Sequence, residues 1–141
     1  MIFIMNRKNK YRFWCKGTSS NPNFSEKGWW KYPNYILEKY YYFDTLCDSE
    51  YFVACQCTGL SDENGDEIYE GDLLKLAFDK VFGDAPGFYR IYQVMWDDST
   101  AAFALATKDG FCLNHTGLNF SSMSGRGTIV GNIFERPDLL T

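Results

Sequence analysis

Histidine is almost absent from this chain: His115 is the only one in 141 residues. A nucleophilic constellation needs an imidazole beside an activated Ser or Cys, with a third group orienting the ring. His115 sits in the turn-like stretch Asn114-His115-Thr116-Gly117, and Cys112 is too near in sequence to face it from a strand or turn. No Gly-x-Ser-x-Gly elbow, Gly-x-x-x-x-Gly-Lys loop or Gly-x-Gly-x-x-Gly run occurs. Long apolar runs are missing too, so no segment spans a bilayer and no membrane partner is expected. The five cysteines (Cys15, Cys47, Cys55, Cys57, Cys112) are odd in number and scattered. Met1–Met5 is too short for a secretory leader, and its basic residues follow it. Reduced thiols in a cytoplasmic protein are therefore expected. Cys55-x-Cys57 is the only close pair, whereas a structural zinc takes four ligands, so neither metal nor cofactor is expected.

Aromatics are plentiful: 12 Phe, 10 Tyr and 4 Trp make 18% of the residues. That much apolar surface excludes disorder, and a chain of this length buries roughly 68% of its surface on folding. Charge is uneven along it. Residues 1–51 carry eight Lys/Arg against five Asp/Glu, and residues 52–141 carry six against thirteen. The acidic part repels phosphate, so nucleic-acid contact would fall to the N-terminal part.

Strand signals dominate. Tyr11–Trp14 is a short aromatic strand candidate, and Tyr51–Cys57 is rich in aromatic and β-branched residues. Asn64-Gly65 predicts a two-residue hairpin turn in which both positions need positive φ. Glu70-Gly71-Asp72 marks a tight corner into the buried-strand candidate Leu73–Phe78. Phe88–Trp96 alternates, with Tyr89, Ile91 and Gln93 on one face and Phe88, Arg90, Tyr92, Val94 and Trp96 on the other. Ala102–Ala106, Phe111–Leu113 and Thr128–Phe134 complete the set, with a polar loop expected around Ser121–Gly125. The pattern predicts an all-β domain, a small, partly open β-barrel of five to six short strands over residues 51–141. Residues 1–50 are expected to be an irregular aromatic and basic extension packed on it, within a single domain. The secondary structure of residues 28–43 stays ambiguous between strand and one helical turn.

The acidic run Asp62, Glu63, Asp66, Glu67, Glu70, Asp72 has two readings. Asp62, Asn64 and Asp66 alternate as calcium ligands do, and the same acids would serve a hydrolase or metal-dependent enzyme. Yet Gly65 stands at the fourth position and no Glu follows at the twelfth. Turn chemistry accounts for more: Gly59, Asn64, Gly65, Tyr69, Gly71, Asp72 and Gly131 read as a structural turn motif. In it Asp72 accepts backbone N–H groups across its corner.

Lys10–Trp14, Gln56–Asp62, Gly65–Asp72 and Val130–Glu135, together with the tail Pro137–Leu140, resemble the YopX-like family of phage and prophage proteins. The likeness covers the chain from residue 10 onward. It departs at Cys15, where the family usually has an acid, and at Cys57, where it usually has an aromatic. The resemblance implies a phage-derived cytoplasmic protein with a predominantly β fold; it does not imply an activity.

With no catalytic residues identified, the expected role is protein–protein interaction or self-assembly. Trp29, Trp30, Tyr32, Tyr35 and Tyr41 are the candidate interface. Adjacent Trp29 and Trp30 point to opposite faces of a strand, so one of them meets solvent or a partner. The partner would be a second copy or another phage or host protein. The alternative is a single-stranded nucleic-acid binder, with Arg7, Lys8, Lys10 and Arg12 on phosphates and Trp14 stacking on bases.

Overall fold

The computed structural model describes residues 10–15, 29–31, 52–77, 87–112 and 120–140. The chain divides into two compact units, Met1–Cys57 and Thr58–Thr141, and the division falls inside one strand.

In the first unit β1 (Tyr11–Cys15) lies between β2 (Trp29–Lys31) and the N-terminal half of β3 (Phe52–Ser61). Both pairings are antiparallel, with Trp14 opposite Trp30 and Phe13 opposite Ala54. Aromatic and β-branched residues favour this pleated arrangement, and Phe13, Trp14, Cys55 and Cys57 are buried.

In the second unit the C-terminal half of β3 forms a hairpin with β4 (Glu67–Tyr69). A four-stranded antiparallel sheet follows, in the order β7-β6-β5-β8. Its strands are β5 (Asp72–Ala77), β6 (Tyr89–Asp97), β7 (Ala102–Ala106) and β8 (Gly127–Asn132). The protein is all-β, as its turn-punctuated sequence predicts, and no closed barrel forms among the described residues. Alternation in β6 is as expected: Tyr92 and Val94 are buried between partly exposed neighbours.

Period two points Leu74 and Leu76 of β5, Tyr92 and Val94 of β6, and Leu105 of β7 to one face. There they pack with Ile68, Phe120 and Met123. Full burial of Ile68, Leu74, Val94 and Leu105 stabilises the unit by about 1.5–3 kcal/mol each. Two members come from unexpected places. Ile68 belongs to β4, a strand hidden within the acidic run. Phe120 and Met123 lie on a helical turn, α1 (Phe120–Met123), where a polar loop was expected. The i, i+3 spacing puts both on one side, which is how so polar a stretch reaches the core. Phe111–Leu113 does not form the expected strand among the described residues; an isolated bridge joins Ala106 to Cys112.

A bulge in β8 breaks its register with β5: Leu73 faces Gly131 and Leu74 faces Ile129, leaving Val130 without an opposite residue. The outer edge of β8 is engaged by the β3–β4 turn. Glu63 N–H donates to the Gly127 carbonyl (2.9 Å), and Ile129 N–H donates to Asp62 Oδ2 (3.0 Å).

Between β6 and β7, Asp97 organises the loop. Its Oδ1 accepts Ser99 N–H (3.0 Å) and the Ser99 hydroxyl (2.7 Å), and its Oδ2 accepts the Thr100 hydroxyl (2.8 Å). The chain then passes through Ala101 at φ +49°, a left-handed conformation that costs an L-residue about 1–2 kcal/mol. Glycine removes that cost, and its greater unfolded-state freedom returns about 0.4–1 kcal/mol of it. Ala101→Gly is therefore expected to raise stability by about 0.5–1 kcal/mol, seen as a higher urea midpoint at unchanged slope.

Candidate functional site

Two acids of the run, Asp62 and Asp72, hold backbone N–H groups. Asp62 is 5% exposed, and both its oxygens are occupied. Oδ1 accepts the N–H groups of Asn64 and Asp66 (2.9 Å each), and Oδ2 accepts that of Ile129. The turn differs from the expected two-residue form. Asp62 N–H bonds to the Asp66 carbonyl (2.9 Å) and Gly65 N–H to the Asp62 carbonyl (3.0 Å). That pattern encloses three residues, a type I turn closed by a left-handed glycine. Only its last position needs positive φ, so Gly65 stands at +84° and Asn64 does not. The same two bonds recur where Thr107 N–H meets the Phe111 carbonyl and Gly110 N–H the Thr107 carbonyl.

The Glu70-Gly71-Asp72 corner is equally structural. Buried Asp72 accepts Tyr69 N–H at 2.8 Å, the bond its position predicts. Gly71 adopts φ +86°, donates its N–H to Val94 and accepts Ile133 N–H (2.8 Å each). Thr58 and Asn132 work likewise. Thr58 Oγ1 donates to the Ile68 carbonyl (2.8 Å), and Asn132 Oδ1 accepts Phe134 and Glu135 N–H (3.1 and 2.9 Å). Carboxylates that hold backbone N–H groups offer few lone pairs to a cation. No group of three or more metal-ligating side chains occurs among the described residues. Cys55 and Cys57 are buried thiols in β3, and burial pushes the Cys112 thiol up, with nearby Asp97 adding to the shift.

Trp29 and Trp30 lie in β2, opposite Cys15 and Trp14. Tyr32, Tyr35, Tyr41, Arg7, Lys8 and His115 lie outside the described residues. Lys10 is exposed and Arg12 half-buried. Trp14, expected to stack on bases, is only 9% exposed in β1.

Four large aromatics outside that candidate interface are exposed: Phe88 (54%), Tyr89 (51%), Trp96 (41%) and Phe111 (52%). Phe88 precedes β6 and Tyr89 opens it, and Trp96 stands near its other end, edge-on to Phe103 at 5.2 Å. A side chain at a strand end has fewer neighbours to cover it, which was the available sequence signal. Lys75 and Arg126 also escaped notice; they share a cleft although fifty-one positions apart in sequence.

No helix among the described residues is long and apolar enough to cross a membrane. A search of curated proteins returned no match. Among solved structures, protein EF1440 from Enterococcus faecalis is similar at 21% identity, covering 95% of this chain and 99% of that one, with a TM-score of 0.48. A family model described as YopX protein matches residues 5–141. That span contains the Asp62 hairpin, the Gly71 corner and the β8 bulge, and over it the chain belongs to the YopX family.

Proposed function

We propose that this YopX-family protein works as a protein-contact module, binding another chain or a second copy of itself without catalytic chemistry. The observation carrying this reading is the exposure of Phe88, Tyr89, Trp96 and Phe111. Aromatics are enriched at interfaces, where they supply much of the binding energy. The use of Asp62, Asp72 and Asp97 in holding turns supports a role without acid–base catalysis. The resemblance to phage and prophage proteins favours a partner from the phage or its host, met in the bacterial cytoplasm. Burial of Trp14 weighs against single-stranded nucleic acid.

Sedimentation velocity on the full chain tests self-association. Association below high micromolar concentration is expected, weakened about tenfold or more by Tyr89→Ser or Phe111→Ser at unchanged unfolding midpoint. A monomer throughout that range removes the self-assembly form of the proposal.

A further inference from the structure

The β7-β6-β5-β8 sheet carries a cleft of about 230 Å³, lined by Glu63, Lys75, Ala77, Arg126, Thr128 and Val130. Register explains how these residues meet. Lys75 lies between Leu74 and Leu76, which enter the core, so it emerges on the opposite face, beside its β8 partner Thr128. Tyr89 faces Ala77 from β6 on that same side, and the Lys75 ammonium sits 4.1 Å from its ring centre. This cation–π contact holds the half-buried lysine in place. Arg126 ends the short 3-10 turn Ser124–Arg126 that leads into β8. The Thr128 hydroxyl donates to Glu63 Oε1, tying that carboxylate into the wall.

Neither Lys75 nor Arg126 has a carboxylate partner among the described residues. Residues 58–141 carry thirteen Asp/Glu against six Lys/Arg, and within this acidic stretch the shared cleft brings two cations together. The geometry points to a binding site for the carboxylate of an acidic side chain on a partner protein. The Arg126 guanidinium matches a carboxylate in two parallel hydrogen bonds, and Lys75 adds a point charge. Ala77 and Val130 give the short aliphatic stem apolar walls. Glu63 offsets part of the positive charge, which favours a monoanion over a phosphate dianion.

This inference rests on the protein-contact reading and is tested separately from it. The isotopically labelled full chain is titrated with an end-blocked hexaglutamate peptide, and in parallel with inorganic phosphate, by following backbone amide shifts. Saturable shifts at Lys75, Arg126 and Thr128 are expected with the peptide, at lower concentration than with phosphate. Affinity should fall at least tenfold in Lys75→Gln/Arg126→Gln and about fivefold in Arg126→Gln, whose exposed side chain leaves the core intact. Tighter phosphate binding, no saturation, or shifts that persist in the double variant overturn the site. A monomeric chain that still saturates with hexaglutamate defeats self-assembly and keeps the cleft; self-association without peptide shifts does the reverse.

Discussion

Asp62→Ala is expected to destabilise the second unit by about 3–4 kcal/mol and to lower Tm by about 10 °C or more. One carboxylate holds three backbone donors there, two in its own turn and one in β8. A hydrogen bond to a charged acceptor contributes roughly 1.5–3 kcal/mol, and leaving a part-buried donor unmet costs about as much. The three losses are not additive, because a released turn can expose its N–H groups to water. Asp62→Asn separates the terms. Its one carbonyl oxygen can still accept from Asn64 and Asp66, while its amide nitrogen would confront Ile129 N–H. About half the loss is expected, measured by urea unfolding. Equal losses in both variants would show that the bond to β8 alone sustains the turn.

Gly71→Ala is the second large effect, at about 3 kcal/mol, and Gly65→Ala is its control. The two glycines have nearly the same φ, +86° and +84°. A methyl at Gly65 meets nothing within 4 Å, whereas at Gly71 it would stand 3.0 Å from Phe134 Cε2 and 3.6 Å from Ile133 Cγ2. The control therefore carries only the conformational cost of about 1–2 kcal/mol, and the excess at Gly71 reports overpacking at a buried corner. Thermal unfolding of the two proteins should differ by several degrees. Identical midpoints would mean that the Phe134 ring moves aside without cost.

Most strands were legible because period two and β-branched or aromatic content act within a few residues. Leu73–Leu76, Tyr92/Val94 and Ala102–Ala106 all behave as their pattern predicts. The Asp72 bond across its corner was legible for the same reason, spanning only three positions. What escaped depends on tertiary context. Ile68 was masked by acids that mark turns, and Phe120 and Met123 by the serines between them. The Asn64-Gly65 signal gave the right place and the wrong turn size, since Asp62 Oδ1 favours a longer loop by accepting from Asn64. The site was hardest to see. The cleft joins β5 to a 3-10 turn through pairing with β8, and no local pattern places Lys75 beside Arg126.

The bonds from Asp62 and Glu63 to β8 bear on how such a sheet edge avoids pairing with other chains. A terminal strand with vacant amides and carbonyls is a template on which further copies can stack into fibrils. Here Gly127 and Ile129 spend outward-facing groups on the neighbouring turn, and the Val130 bulge spoils the flat geometry that stacking needs. Losing Asp62 would thus uncover a growth point as well as weaken the fold, coupling aggregation to instability through one side chain.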